Sequence, residues 1–268
     1  LLQPELIPNE YKKIHGITRR SFTGGTKNLW LQIYSFLQPS YFTRLSMKWS
    51  CRLFNDVEKM ITFNPNCSPL EPIPLYTSFP HPNYASLRGL TTCLNALSKK
   101  KKDDVPKLLL IEDGIHDEQG EYVVIDFPVT IIGESKDGCT IIGGLKMKGK
   151  KEDDVNVKHL TISQSKGHGV YGWGGMSFHL FHLKIEKSEW TGVYVDGTKR
   201  NTMSNCQVSH SKKSGLLVEY GLITINGSGT SIHNNVTGGV SGYYGLWTFS
   251  SSSSIHLISP LTKESVSI

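Results

Sequence analysis

No apolar run in the 268 residues approaches the roughly 18 that a membrane-crossing helix needs, so no membrane span is expected and the chain reads as soluble. Cysteine is scarce and scattered. Cys51, Cys67, Cys93, Cys139 and Cys206 show neither metal-ligand nor disulfide-framework spacing. An odd, dispersed set suits free thiols in a reducing compartment, which points to the cytoplasm or nucleus. Triplets at Asn66, Asn226 and Asn235 would accept glycans if the chain were secreted, so secretion stays open. The first residue is Leu1 with no signal-peptide pattern behind it, and Ser265-Val-Ser-Ile268 ends on an apolar β phrase. Both ends are expected to continue. Charge is thin too: the net +6 includes nine Lys/Arg against five Asp/Glu in residues 1–80, leaving +2 for the rest. A nucleic-acid groove needs a concentrated basic stripe, and none is present. The one basic run, Lys99 to Lys102, meets Asp103-Asp104 and reads as a solvated helix end.

What the chain does have is a beat. Leu160-Thr-Ile-Ser163 is echoed by Leu183-Lys-Ile-Glu186, Cys206-Gln-Val-Ser209 and Thr230-Ser-Ile-His233, with Ile162, Ile185, Val208 and Ile232 spaced 23, 23 and 24 apart. Gly169-Val-Tyr171, Gly192-Val-Tyr-Val195 and Gly215-Leu-Leu-Val218 keep the same step of 23. A period of this size marks a solenoid, because one repeat cannot bury its apolar face without a neighbour. Each period holds short alternating β phrases between Gly, Asn, Ser or Lys, the layout of one coil of a parallel β-helix. Near the end the beat stretches to 30 between Gly215 and Gly245, so about seven residues are inserted near 220–229 or 238–244. The run Ser250–Ser254 reads as a flexible turn.

Earlier in the chain the periodicity changes. Residues 1–28 read as an irregular arm. Trp30, Ile33, Phe36 and Leu37, then Tyr41, Phe42, Leu45, Trp49, Leu53 and Phe54, predict a small helical module with a break at Pro39. Six prolines in residues 61–83 predict an extended linker. Leu87, Leu90, Leu94 and Leu97 predict a capping helix over about 84–98. From about residue 107, Lys107-Leu-Leu-Leu-Ile111, Tyr122-Val-Val-Ile125, Pro128-Val-Thr-Ile-Ile-Gly133 and Cys139-Thr-Ile-Ile-Gly-Gly144 predict further coils, with no Asn-Gly hairpin between them. A charged loop is expected at Lys146–Asp154.

The strand, acidic-x-Gly and Pro-Val-Thr-Ile-Ile-Gly order resembles the opening of the right-handed parallel β-helix superfamily, over residues 84–268. That superfamily includes pectate lyases, pectin esterases, copper-site maturation proteins of denitrifiers and β-helix F-box proteins. Ile33, Ser35, Phe36, Leu37, Pro39, Arg44, Leu45, Ser46 and Cys51-Arg-Leu-Phe54 resemble an F-box, the module that docks a ubiquitin-ligase adaptor. The resemblance implies docking through Trp30, Ile33, Phe36, Leu37, Pro39, Leu45 and Phe54. The open alternative is a plain helical cap for the solenoid. The expected fold is mainly β: a right-handed parallel β-helix of about six coils, preceded by a small α-helical module in residues 1–60.

Chemistry is less legible. Lyases of this superfamily need several carboxylates for Ca²⁺ and a basic residue for proton abstraction. Hydrolases need a carboxylate pair. After residue 155 the acids are few: Glu186, Glu189, Asp196, Glu219 and Glu264. Only Asp196 with Lys199 and Arg200 mimics a catalytic set, so the chain leans away from catalysis and no metal or cofactor is expected. His179 and His182 should lie on opposite strand faces, and His210 with His233 should form a corner ladder. If Val170, Val193 and Leu216 point inward, Tyr171 and Tyr194 point out in phase. With His168, Trp173, Trp190 and Tyr220 they form the candidate binding surface for a protein segment or a glycan. The expected function is substrate recruitment to a ligase. A polysaccharide-active enzyme or glycan binder and a structural subunit of an assembly are the alternatives.

Overall fold

The computed structural model describes residues 76–100 and 105–266, so the helical module and its docking residues from Trp30 to Phe54 lie outside the described residues. Strand β1 (Tyr76–Phe79) and helix α1 (Leu87–Lys100) precede a run of parallel strands that wind around three faces. The first face stacks β1, β2 (Leu108–Ile111), β4 (Val129–Gly133), β6 (Asp154–Lys158), β9 (Ser177–Phe181), β12 (Asn201–Ser204), β15 (Leu222–Asn226) and β18 (Ser254–Leu257). Two long strands, β3 (Gly114–Ile125) and β5 (Cys139–Lys148), bend to supply both other faces. The second face continues with β7 (Thr161–Ser163), β10 (Lys184–Glu186), β13 (Gln207–Ser209) and β16 (Ser231–His233). The third continues with β8 (Val170–Trp173), β11 (Val193–Asp196), β14 (Leu216–Glu219) and β17 (Leu246–Thr248). A short helix, α2 (Lys263–Val266), follows. Every face is crossed six times between β2 and β17, which gives the expected solenoid.

The beat is the register. Ile141, Ile162, Ile185, Val208 and Ile232 pair in sequence on the second face. Leu145, Val170, Val193, Leu216 and Leu246 do so on the third. Apart from Leu246, all of these are fully buried, so the interior is a set of aliphatic columns. The glycine that opens each third-face phrase has one steric reason in three coils. A Cβ at Gly169, Gly192 or Gly215 would overlap Ile185, Val208 or Ile232 of the following coil. Gly172 stands where later coils carry an inward valine, and the space it leaves is filled by the Phe178 ring.

Sharp corners come from single residues in the left-handed region. His159, His182 and Asn205 turn the first face into the second, and Gln164, Lys187, His210 and Asn234 turn the second into the third, with φ between 51° and 56°. Such residues carry a conformational cost. It is offset because His159, His182, Gln164, Lys187 and His210 each donate a backbone N–H to the next coil at 3.0–3.2 Å.

Helix α1 covers the start of the solenoid with Leu87, Leu90 and Leu94, protecting its end from open pairing. Its N-terminus is held from a distance. The buried Glu118 carboxylate of β3 accepts the N–H groups of Leu87 (2.7 Å) and Arg88 (3.2 Å), so a negative group meets the positive helix end. Asn95 ties the helix to the first coil, donating to the Val124 carbonyl at 2.8 Å and accepting from the Asp126 N–H at 3.0 Å.

Several details differ from the sequence reading. Strand β1 pairs with β2 inside the Pro-rich stretch read as linker. Lys146–Lys148 belong to β5 and not to a loop, because they continue the third-face register. Val208 pairs with Ile232 at a step of 24, whereas Leu216 pairs with Leu246 at 30, so most of the inserted residues fall between β16 and β17. The extra residue before β16 sets His233 opposite Ser209 and His210 beside Asn234, and the two histidine rings meet edge to face at 6.3 Å instead of stacking in one column. His182 is a corner residue just past β9, so it does not oppose His179 across a strand. Among the described residues no helix is long and apolar enough to cross a membrane.

Two substitutions test this account. Gly192→Ala overpacks the coil and should lower stability by about 1–3 kcal/mol. Glu118→Ala strands two amide donors and should cost about 1–3 kcal/mol. Urea unfolding of each against the exposed Lys199→Ala, expected within about 0.5 kcal/mol of the parent, reads the difference.

Candidate functional site

The outward side of the third face carries two columns of side chains, because alternate strand residues point to opposite faces. In one, Lys146, Tyr171, Tyr194, Leu217 and Trp247 follow each other in register. The Tyr171 and Tyr194 rings are stacked at 5.0 Å and 10°. In the other, Lys148, Trp173, Asp196 and Glu219 follow in register. The columns are cross-linked. Tyr171 donates to the Asp196 carboxylate at 3.4 Å and Tyr194 to Glu219 at 2.5 Å.

A third group packs at the corner before these strands. His168 is 7 % exposed, and its ring touches Tyr171 (5.2 Å), Trp190 (5.1 Å) and Tyr194 (4.7 Å). Trp190 is 48 % exposed and lies under the Lys213 ammonium at 4.7 Å. The Lys146 ammonium sits 4.9 Å from the Tyr171 ring and 5.4 Å from the Trp173 ring. These are cation–π arrangements, favoured by the negative ring faces.

The electrostatics follow from crowding. Burial, and then Lys213 and Lys146, hold His168 down to about 4, so it is neutral in the nest. Burial and the adjoining Asp196 carboxyl push Tyr171 up to about 12, and burial with the Glu219 bond raises Tyr194 as well. Asp196 is raised above the usual carboxylate range by burial and by Glu219 beside it, which outweigh the Tyr171 hydrogen bond.

The structure thus brings Tyr171, Trp173, Trp190 and Tyr194 onto one surface, with His168 buried beneath the rings. Tyr220 is at the corner after β14, 54 % exposed with φ 52°, at the margin of this surface. The catalytic-like trio does not assemble. Arg200 pairs with Asp154 at 3.0 Å and donates to the Lys151 carbonyl at 2.6 Å on the first-face side, while Lys199 is exposed and Asp196 faces out from the third face. Asp196 and Arg200, four positions apart in sequence, are parted because a corner lies between β11 and β12. Glu219, Lys146 and Lys213 were missed as members of the surface. The signal was available for Glu219, which follows Asp196 by one step of 23. Among the described residues no group of three His, Cys, Asp or Glu side chains is arranged to hold a metal ion.

A family model for the right-handed β-helix region matches residues 111–259, more than half of the chain, and the protein belongs to that family. A search of curated proteins and a search of solved structures each find no match.

His168 supplies a pH prediction. Its folded value lies below the ordinary 6.5, so the unfolded chain binds the extra proton first and stability falls as pH drops from about 6.5 to about 4. His168→Phe should flatten that decline by the equivalent of one proton, read from denaturant midpoints across the window. An unchanged slope would contradict the buried neutral ring.

Proposed function

We propose that the protein is a recognition protein whose third face binds a segment of a partner protein, and whose residues 30–54 dock a ubiquitin-ligase adaptor so that the bound partner is ubiquitylated. The observation that carries the first half is the outward aromatic surface in which Tyr171 and Tyr194 stack in register, with Trp173 and Trp190 beside them. Tyrosine and tryptophan supply large contact area for little ordering entropy and dominate binding energy at protein interfaces. A protein segment is favoured over a glycan because Lys146 and Lys213 already cover the ring faces on which a sugar would stack. The second half rests on the F-box resemblance of Ile33, Leu37, Pro39, Leu45 and Phe54, and with it goes a cytoplasmic or nuclear setting as part of the proposal.

Each half has its own experiment. Wild-type protein should be retained by an immobilised ligase adaptor, and Leu37→Ala with Phe54→Ala should abolish retention; no retention of the wild type removes the ligase reading. On peptide and glycan arrays, the wild type should hold peptides, and Trp190→Ala with Tyr194→Ala should weaken them at least about tenfold, as for paired hot-spot residues. Retention of glycans in place of peptides would turn the reading to sugar binding.

A further inference from the structure

On the third face two carboxylates stand side by side without a cation. Asp196 and Glu219 are register partners on adjacent parallel strands, which places their backbones about 4.8 Å apart. Like charges directly opposite on neighbouring strands are destabilising. Each carboxylate has a tyrosine hydroxyl as partner, and neither forms an ion pair among the described residues. The nearby ammonium groups are committed elsewhere: Lys146 over Tyr171 and Trp173, and Lys213 over Trp190 and Tyr243.

The pair is also walled. Trp173, the register partner of Asp196 one coil earlier, is 45 % exposed. Phe249 follows one coil after Glu219, its N–H bonded to the Val218 carbonyl, and is 58 % exposed. Trp247 packs against Phe249 at 5.5 Å on the same side. The column therefore runs aromatic, acid, acid, aromatic, each one strand spacing apart. Behind it, His168 is buried against the two tyrosines that hold the acids, and its Nδ1 has no hydrogen-bond partner. The site offers carboxylate oxygens and aromatic side chains, and no described cation answers them.

We propose that this slot takes an arginine side chain from the partner segment, a deepening that rests on the third face being a protein-binding surface. A guanidinium is planar, carries several donors in a fixed fork and stacks on aromatic faces. It reaches two carboxylates one strand spacing apart, between the aromatic side chains Trp173 and Phe249 that end the column. Lysine offers a compact, strongly hydrated charge and matches the slot less well. A calcium ion is a poorer occupant, since two carboxylates and two phenols fall short of its usual six to eight oxygens. A carboxylate pair also suggests glycoside hydrolysis, but both acids here are tied to tyrosine hydroxyls and no further donor among the described residues approaches them.

The test uses the full chain and pools of ten-residue peptides, varied in sequence, with one fixed central Arg, Lys, Gln or Glu. At low salt the Arg pool should be retained above the Lys pool and both above the Gln and Glu pools. Asp196→Asn with Glu219→Gln should cut Arg-pool retention at least about tenfold, the worth of one charge-assisted hydrogen bond, and bring it to the Gln level. Thermal unfolding of that variant should be unchanged or higher, because a like-charge repulsion is removed. If the wild type holds all pools equally and Trp190→Ala with Tyr194→Ala abolishes this, the slot proposal fails while the face remains a protein-binding surface. No retention of any pool overturns both. Calcium binding or release of reducing sugar from oligosaccharides, lost in the double variant, overturns the arginine assignment.

Discussion

Parallel stacking in register is the constraint on which everything else in this molecule depends. Each coil must present its backbone N–H and C=O groups to the next, so strand residues are bound to their equivalents one step along the chain. On the inside that condition turns a repeat into aliphatic columns, with Ile162, Ile185, Val208 and Ile232 as one of them. On the outside it turns the same repeat into ladders. Residue types that would be unremarkable alone become surfaces because the register multiplies them.

The constraint also creates tension, and the protein answers it locally. Corners must be sharp, and non-glycine residues such as His182 and Lys187 hold left-handed backbone because the next coil accepts their N–H groups. Bulky side chains need room, and Gly172 yields it to Phe178. Open ends need cover, and Glu118 fixes the first turn of α1 over the entering coil. At Asp196 and Glu219 the tension is left standing. Register brings two like charges together, and no described cation answers them. A solenoid makes such ladders by geometry alone.

Membership of the right-handed β-helix family accounts for the scaffold and says little about what it reads. In this fold the interior is committed to packing, so differences between members must be expressed outside. Here the outward third face concentrates Tyr171, Trp173, Trp190 and Tyr194, while the outward first face uses its charges internally, with Arg200, Asp154 and His179 engaged with one another.

Periodicity by itself determined the solenoid, the inward columns and the outward phase of Tyr171 and Tyr194, since a fixed step with alternating apolar residues admits few other arrangements. It did not reveal which outward residues meet. The 23-residue step contained the pairing of Asp196 with Glu219, but their meaning depended on Trp173 and Phe249 standing on either side, and Phe249 lies beyond the insertion that breaks the beat. Arg200, only four positions from Asp196, was parted from it by the corner at Gly197, which has φ 72°. Tertiary structure decided these matters because a contact across coils depends on accumulated register, to which every insertion and corner between two residues contributes.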